Sequence, residues 1–165
     1  MALPTSVQPM SKNLIFQHDL KAYYLPLADC GGGCLENLVQ AVERLSVEWV
    51  NTPKHADIIF MSGVITNAIW PVLKDVFASL SKPFFVVRIG QCMGKMNKKF
   101  EDPQQNYAIP ETVKKFFPIN LAIDGCPPTV DEIVAKLETF LNYLDLTPEI
   151  TRTLDEKLDK AIFNP

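Results

Sequence analysis

Long apolar runs are missing from this chain. No stretch approaches the roughly 18 consecutive apolar residues that a bilayer-spanning helix needs, so no direct membrane span is expected. Basic charge is scarce as well: 16 Lys and Arg stand against 19 Asp and Glu, a formal net charge of −3. That balance argues against nucleic acid as a partner, because such binders normally carry a basic footprint. Histidine occurs twice and never beside a cysteine, so no acid–base machinery accompanies the thiols. Seven glycines against 13 prolines imply fixed chain reversals rather than flexible linkers. No internal repeat or low-complexity tract is present. Residues 1–12 are polar and proline-containing, without the charged start and apolar core of a secretory signal. A cytoplasmic setting is therefore expected, where thiols act as ligands or redox groups rather than disulfide partners.

What the chain does have is four cysteines, each in a glycine- or proline-rich break. Cys30 and Cys34 flank the triplet Gly31-Gly32-Gly33. Cys92 lies in Gly90-Gln91-Cys92-Met93-Gly94, and Cys126 in Gly125-Cys126-Pro127-Pro128. Cysteines that fill cores behave as small hydrophobes inside apolar runs; these four sit where the backbone turns. Four thiolates on amide-rich turns suit a tetrahedral thiolate metal site or an iron–sulfur cluster. The three glycines let successive amides approach an anionic group. Cys34, opening a helix, is expected to have its thiol pKa lowered by the helix dipole. The two prolines stiffen the exit from Cys126.

Hydrophobic periodicity gives alternating strands and helices. Strands are expected at residues 22–27, 47–50, 57–61, 84–89 and 120–123, the 57–61 run being nearly continuous and apolar, as in a buried parallel strand. Helices are expected from Cys34, with Leu35, Leu38, Val39, Val42 and Leu45 at helical spacing. Another carries Ile69, Trp70, Leu73, Val76, Phe77 and Leu80 after a cap at Thr66 or Asn67, and a third spans residues 129–144. Residues 93–106 read as a long loop, residues 110–116 as a short helix, and Thr147-Pro148-Glu149 as the start of a last helix with the stripe Ile150, Leu154, Leu158 and Ile162. The division is an arm at 1–17, an α/β domain at 18–144, and a C-terminal helix at 145–165 docking on the domain or on a partner. The fold class is α/β, a doubly wound, flavodoxin-like parallel sheet with helices on both faces. Ligands in such folds lie beyond the carboxyl ends of the strands. Three strands run straight into cysteine loops, so all four cysteines are expected at one edge.

The order of Cys30/Cys34, Pro53-Lys54-His55-Ala56-Asp57, Gly63, Gly90-Gln91-Cys92 and Gly125-Cys126-Pro127-Pro128 resembles one superfamily across about residues 22–141. It contains the small subunits of nickel–iron hydrogenases and the 20 kDa cluster-bearing subunit of respiratory complex I. The resemblance implies one [4Fe–4S] cluster ligated by Cys30, Cys34, Cys92 and Cys126, next to a larger catalytic subunit of nickel–iron or quinone-site type. It also implies a ferredoxin-like cluster subunit as donor, membrane subunits reached through the complex, and a peripheral position on the cytoplasmic face. Glu36 falls where the hydrogenase branch often has a glutamate linked to proton movement. Three residues separate Cys30 from Cys34, against two in hydrogenase small subunits and none in complex I, which favours the hydrogenase side. The length matches the compact, single-cluster form of energy-converting, membrane-bound hydrogenases. The expected role is that of an electron-transfer subunit, not catalytic alone. A complex I-type relay to quinone and a non-redox, zinc-stabilised assembly module are the alternatives.

Other residues carry plainer expectations. His55 reads foremost as a surface residue before a strand, with docking or proton transfer as the alternative. Glu36 is equally well explained by the helix dipole alone. Lys95, Lys98 and Lys99 with Met93, Met96 and Phe100 read as a partner-contact or solvated loop. Trp49 and Trp70 read as core or interface aromatics.

Overall fold

The computed structural model describes residues 20–81, 84–92 and 119–146, the side chains of 144–146 excepted. The expected arm, the 93–106 loop, the 110–116 helix and the last helix lie outside the described residues. The elements run β1 (Lys21–Pro26), α1 (Cys34–Arg44), β2 (Glu48–Trp49), a 3-10 turn (Pro53–His55), β3 (Ile58–Ser62), α2 (Trp70–Ser79), β4 (Phe85–Ile89), β5 (Leu121–Ile123) and α3 (Val130–Leu146).

The five strands form one sheet in the order β2-β1-β3-β4-β5, and every pairing is parallel. This is the doubly wound, flavodoxin-like arrangement expected above. β3 is buried at all five positions, as a continuous apolar run covered on both faces must be. On one face, Leu38, Ala41 and Val42 of α1 pack with Ile133, Leu137 and Leu141 of α3 over Ile58, Phe60, Val87 and Ile89. On the other, Leu73 and Phe77 of α2 pack over Ile59, Met61 and Val86. The helical stripes therefore cover the faces that strand alternation leaves apolar.

Local chemistry sets the starts of these elements. The Asp57 carboxylate accepts from the Lys21 amide at 2.9 Å, fastening the entry of β1 beside β3. The Asn120 side chain accepts from the Val86 amide at 2.6 Å, doing the same for β5 beside β4. Helix α3 opens on a reciprocal capping box. The Glu132 carboxylate accepts from the Thr129 amide and hydroxyl, both at 2.9 Å, and the Thr129 hydroxyl accepts from the Glu132 amide at 3.3 Å.

Three local expectations change. Helix α2 begins at Trp70 with Pro71 in its first turn and no side-chain cap; Ile69 holds the cap position. The Thr66 carbonyl instead accepts from the amides of Ile69 and Trp70, closing a turn ahead of the helix. Leu35, counted in the apolar stripe of α1, is instead 42% exposed. Helix α3 runs to Leu146, two residues past the expected boundary at 144.

Candidate functional site

The chain leaves β1 toward one side of the sheet, to β2, and returns to the other side at β3. The connections that follow β1 and β3 therefore run to opposite faces of the sheet, α1 on one and α2 on the other, and such a switch point is where open α/β sheets bind ligands. A cleft of about 480 Å³ occupies this place. Its lining includes Cys30, Gly31, Gly32, Gly33, Cys34, Cys92, Glu36 and Leu35, together with Tyr24, Asp29, Ser62 and Gly63.

All four cysteines are free thiols at this edge, Cys30 and Cys126 exposed, Cys34 and Cys92 half-buried. Cys34 is the first residue of α1, and Gly33 before it takes a left-handed conformation with φ of 79°. Cys92 follows β4 by three residues. Past the end of that strand the ladder continues, the amides of Gly90 and Gln91 donating to the carbonyls of Ile123 and Gly125 at 2.8 and 3.1 Å. The Cys92 and Cys126 loops are thereby held side by side, and Arg88 adds an ion pair to Asp124. From the other side, the Asn37 side-chain amide of α1 donates to the Pro128 carbonyl at 2.8 Å, tying the helix that carries Cys34 to the loop that carries Cys126. Space is tight: a Cβ on Gly90 (φ +88°) would stand 3.1 Å from the Cys34 sulfur.

Burial pushes the Cys34 thiol above its ordinary value, and the negative charges of Cys92, Cys126, Cys30 and Asp29 push it further. Cys92 is raised in the same way, by burial first and then by Cys30 and Cys126. The expected lowering of Cys34 by the helix dipole is thus overturned: desolvation and three facing sulfurs outweigh the helix amides. Cys34 thus feels the other three thiols, and Cys92 feels Cys30 and Cys126. Electrostatic coupling reaches across several ångströms, however, whereas a single zinc ion with bonds of about 2.3 Å to sulfur needs its thiolates only about 3.8 Å apart. Among the described residues no group of three or more His, Cys, Asp or Glu is arranged to hold a metal ion. An iron–sulfur core is larger than one ion and spreads its ligands farther. Four thiols, with no imidazole among them, match its soft, all-sulfur preference.

Glu36 is exposed on the first turn of α1 and lines the cleft. His55 is also exposed, in the turn before β3; that is the amino end of the strand, opposite the cysteines. Trp49 packs against Phe60 with ring centroids 6.0 Å apart, and the Trp70 ring lies 5.9 Å from the Lys74 ammonium.

Three residues lining the cleft are not marked by the sequence. The Asp29 carboxylate accepts from the Gly31 amide at 3.0 Å and from the Ser62 hydroxyl at 3.1 Å, and the Tyr24 hydroxyl lies 3.2 Å from the same carboxylate oxygen as Ser62. The Tyr24 and Ser62 hydroxyls also bond one another. Burial, above all, raises the Tyr24 phenol above its usual value; the Ser62 bond opposes the rise and the Asp29 charge adds to it. The only available signal is Asp29 two residues before a glycine, a pattern that favours a side-chain-to-amide turn. Tyr24 and Ser62 meet only through strand register.

The chain is 35% identical over 87 residues to a subunit of the NADH-quinone oxidoreductase of Symbiobacterium thermophilum, a stretch covering 53% of this chain and 49% of that protein. It is 30% identical over 92 residues to a subunit of the F(420)H(2) dehydrogenase of Methanosarcina mazei, covering 56% and 48%. The matched stretch spans about half the length of each relative. Its fold resembles a chain of the membrane-bound sulfane sulfur reductase, an archaeal respiratory membrane complex, with a TM-score of 0.57, 15% identity and 87% of both chains covered. The family described as "NADH ubiquinone oxidoreductase, 20 Kd subunit" matches residues 26–140, and the chain belongs to that family.

Proposed function

We propose that this chain is the electron-transfer subunit of a membrane-associated oxidoreductase complex and holds one [4Fe–4S] cluster through Cys30, Cys34, Cys92 and Cys126. The observation that carries this reading is convergence. Three separate loops bring four thiols to one edge of the sheet; Cys34 senses the other three, and Cys92 senses Cys30 and Cys126. When bound, such a cluster takes up and releases one electron at a time. The chain's own part is to hold and orient. β4 and β5 fix the spacing of Cys92 and Cys126, α1 carries Cys34, and the Asp29 carboxylate holds the Gly31 amide of the loop beside Cys30. A larger catalytic subunit would cover the cysteine edge, a ferredoxin-like subunit would deliver electrons, and membrane subunits would anchor the assembly, with this chain peripheral on the cytoplasmic face. No described helix is long and apolar enough to cross a membrane.

The two sequence relatives are named as subunits of quinone- and F(420)H(2)-linked enzymes, which favours the complex I-type setting. The three-residue gap between Cys30 and Cys34 favours the second setting, an energy-converting hydrogenase in which Glu36 serves as a proton relay. Copurification decides between them: hydrogen-dependent reduction by a nickel-containing complex supports the hydrogenase, quinone-dependent turnover without nickel the other.

Anaerobic purification with iron and sulfide quantification tests the cluster itself. A brown protein with broad absorbance near about 400 nm and an EPR signal on reduction is expected. A colourless protein holding one zinc ion would instead establish the assembly module.

A further inference from the structure

Asp29 is the last fixed point before Cys30. The Val64 amide donates to the Ala28 carbonyl at 2.9 Å, in a bridge that joins the segment after β1 to the segment after β3. Gly63 makes this approach possible: with φ at +97°, a Cβ there would stand 2.6 Å from the Ala28 carbonyl oxygen and 2.9 Å from the Asp29 Cβ. Beyond Asp29, residues Cys30, Gly31 and Gly32 are all exposed. Cys34 is carried by a helix, and Cys92 and Cys126 by an extended ladder. Cys30 has neither support, only a glycine loop.

What holds that loop is the Asp29 carboxylate. One oxygen takes the Gly31 amide, bridging directly over Cys30; the other takes the Ser62 hydroxyl, with Tyr24 beside it. Ser62 is 2% exposed and Tyr24 lies in the middle of β1, so the carboxylate is anchored to two central strands. Two hydroxyl protons serve three close oxygen–oxygen contacts. Both hydroxyls are therefore committed within the network, and the carboxylate has little freedom to turn.

We infer that Tyr24, Ser62 and Asp29 are positioning residues for Cys30, latching the one ligand that no helix or strand supports. This rests on the cluster reading above. Removing an outer partner of a metal ligand commonly costs 10–100-fold in affinity, and here the loss would fall on a single corner of the cluster. Oxidation of an open corner by ferricyanide takes [4Fe–4S]2+ to [3Fe–4S]+, releasing one ferrous ion and passing one electron to the ferricyanide.

The test uses the full chain, purified anaerobically, exposed to ferricyanide and followed by the EPR signal of the three-iron form. Asp29→Ala is expected to lose iron roughly 10-fold faster than the unaltered protein, the low end for a lost outer partner. Asp29→Asn keeps an oxygen for the Gly31 amide and is expected to stay near the unaltered rate. Tyr24→Phe, which removes a hydroxyl alone, is expected to lie between, at roughly fivefold, the worth of one hydrogen bond; it carries the comparison should Asp29→Ala fail to accumulate. Iron loss at the unaltered rate in both Asp29→Ala and Tyr24→Phe overturns the latch, as does Asp29→Asn behaving like Asp29→Ala. Unaltered protein without iron and sulfide overturns the cluster reading itself, and is seen before any variant is compared.

Discussion

A single methyl group at Gly90 is enough to disturb the candidate site. Its φ of +88° is left-handed, and a Cβ would press to 3.1 Å on the Cys34 sulfur. Gly90→Ala is expected to cost about 1–2 kcal/mol for the backbone alone, visible as a lower urea midpoint, and to reduce bound iron because Cys34 must shift. Cys126→Ser should abolish the cluster absorbance outright; full iron and sulfide content in that variant would remove Cys126 from the ligand set. At this scale the cysteines are legible in the sequence, since glycine and proline around a thiol mark a turn rather than a core. Tyr24, Ser62 and Asp29 are not, because residues as far apart as Tyr24 and Ser62 are joined by register and not by local spacing. The Cys34 thiol shifts in the direction opposite to the one its sequence position suggests. A helix N-terminus is visible in sequence, whereas burial and three facing sulfurs are products of folding.

Helix α3 carries two tests at the scale of the element. Thr129 donates its backbone amide, the strongest influence, and its hydroxyl to Glu132, holding that carboxyl below its usual range. A folded value below the unfolded one means the box contributes above about pH 4.3, the ordinary glutamate value, and is lost as pH falls through the folded value. Melting curves of the metal-free protein between about pH 3 and 6 should show this acid-side loss, diminished in Glu132→Gln. Thr129→Ala is expected to cost about 1 kcal/mol at neutral pH. Deeper in the helix, Leu137 is 1% exposed and packs toward α1 and the sheet. Leu137→Ala should cost about 2–5 kcal/mol in urea unfolding, loosening the helix that also braces α1. Strand and helix types follow from periodicity, including the buried run of β3. The start of α2 does not, because Thr66 uses its carbonyl in a preceding turn and leaves Trp70 to begin the helix.

For the whole molecule, the cleft edge is the place where function would be expressed, and Glu36 tests it in the assembled complex. Glu36→Gln is expected to leave iron content unchanged and to slow proton-coupled turnover, measured as hydrogen- or quinone-dependent activity. Unchanged turnover would leave Glu36 with only its favourable place at the helix N-terminus.

Periodicity and chain order alone determined that this protein would build a parallel α/β sheet and deliver its cysteines to the carboxyl ends of the strands. Alternation of element types and the termination of strands in glycine are local properties that topology can hardly redirect. Only the tertiary structure decided that β1 and β3 would be neighbours with β2 outside them, and hence where the crevice opens. It alone joined Tyr24 and Ser62 to Asp29 and set the burial that raises Cys34 and Cys92. Pairing order and burial come from many long-range contacts acting together, and no window of sequence contains them.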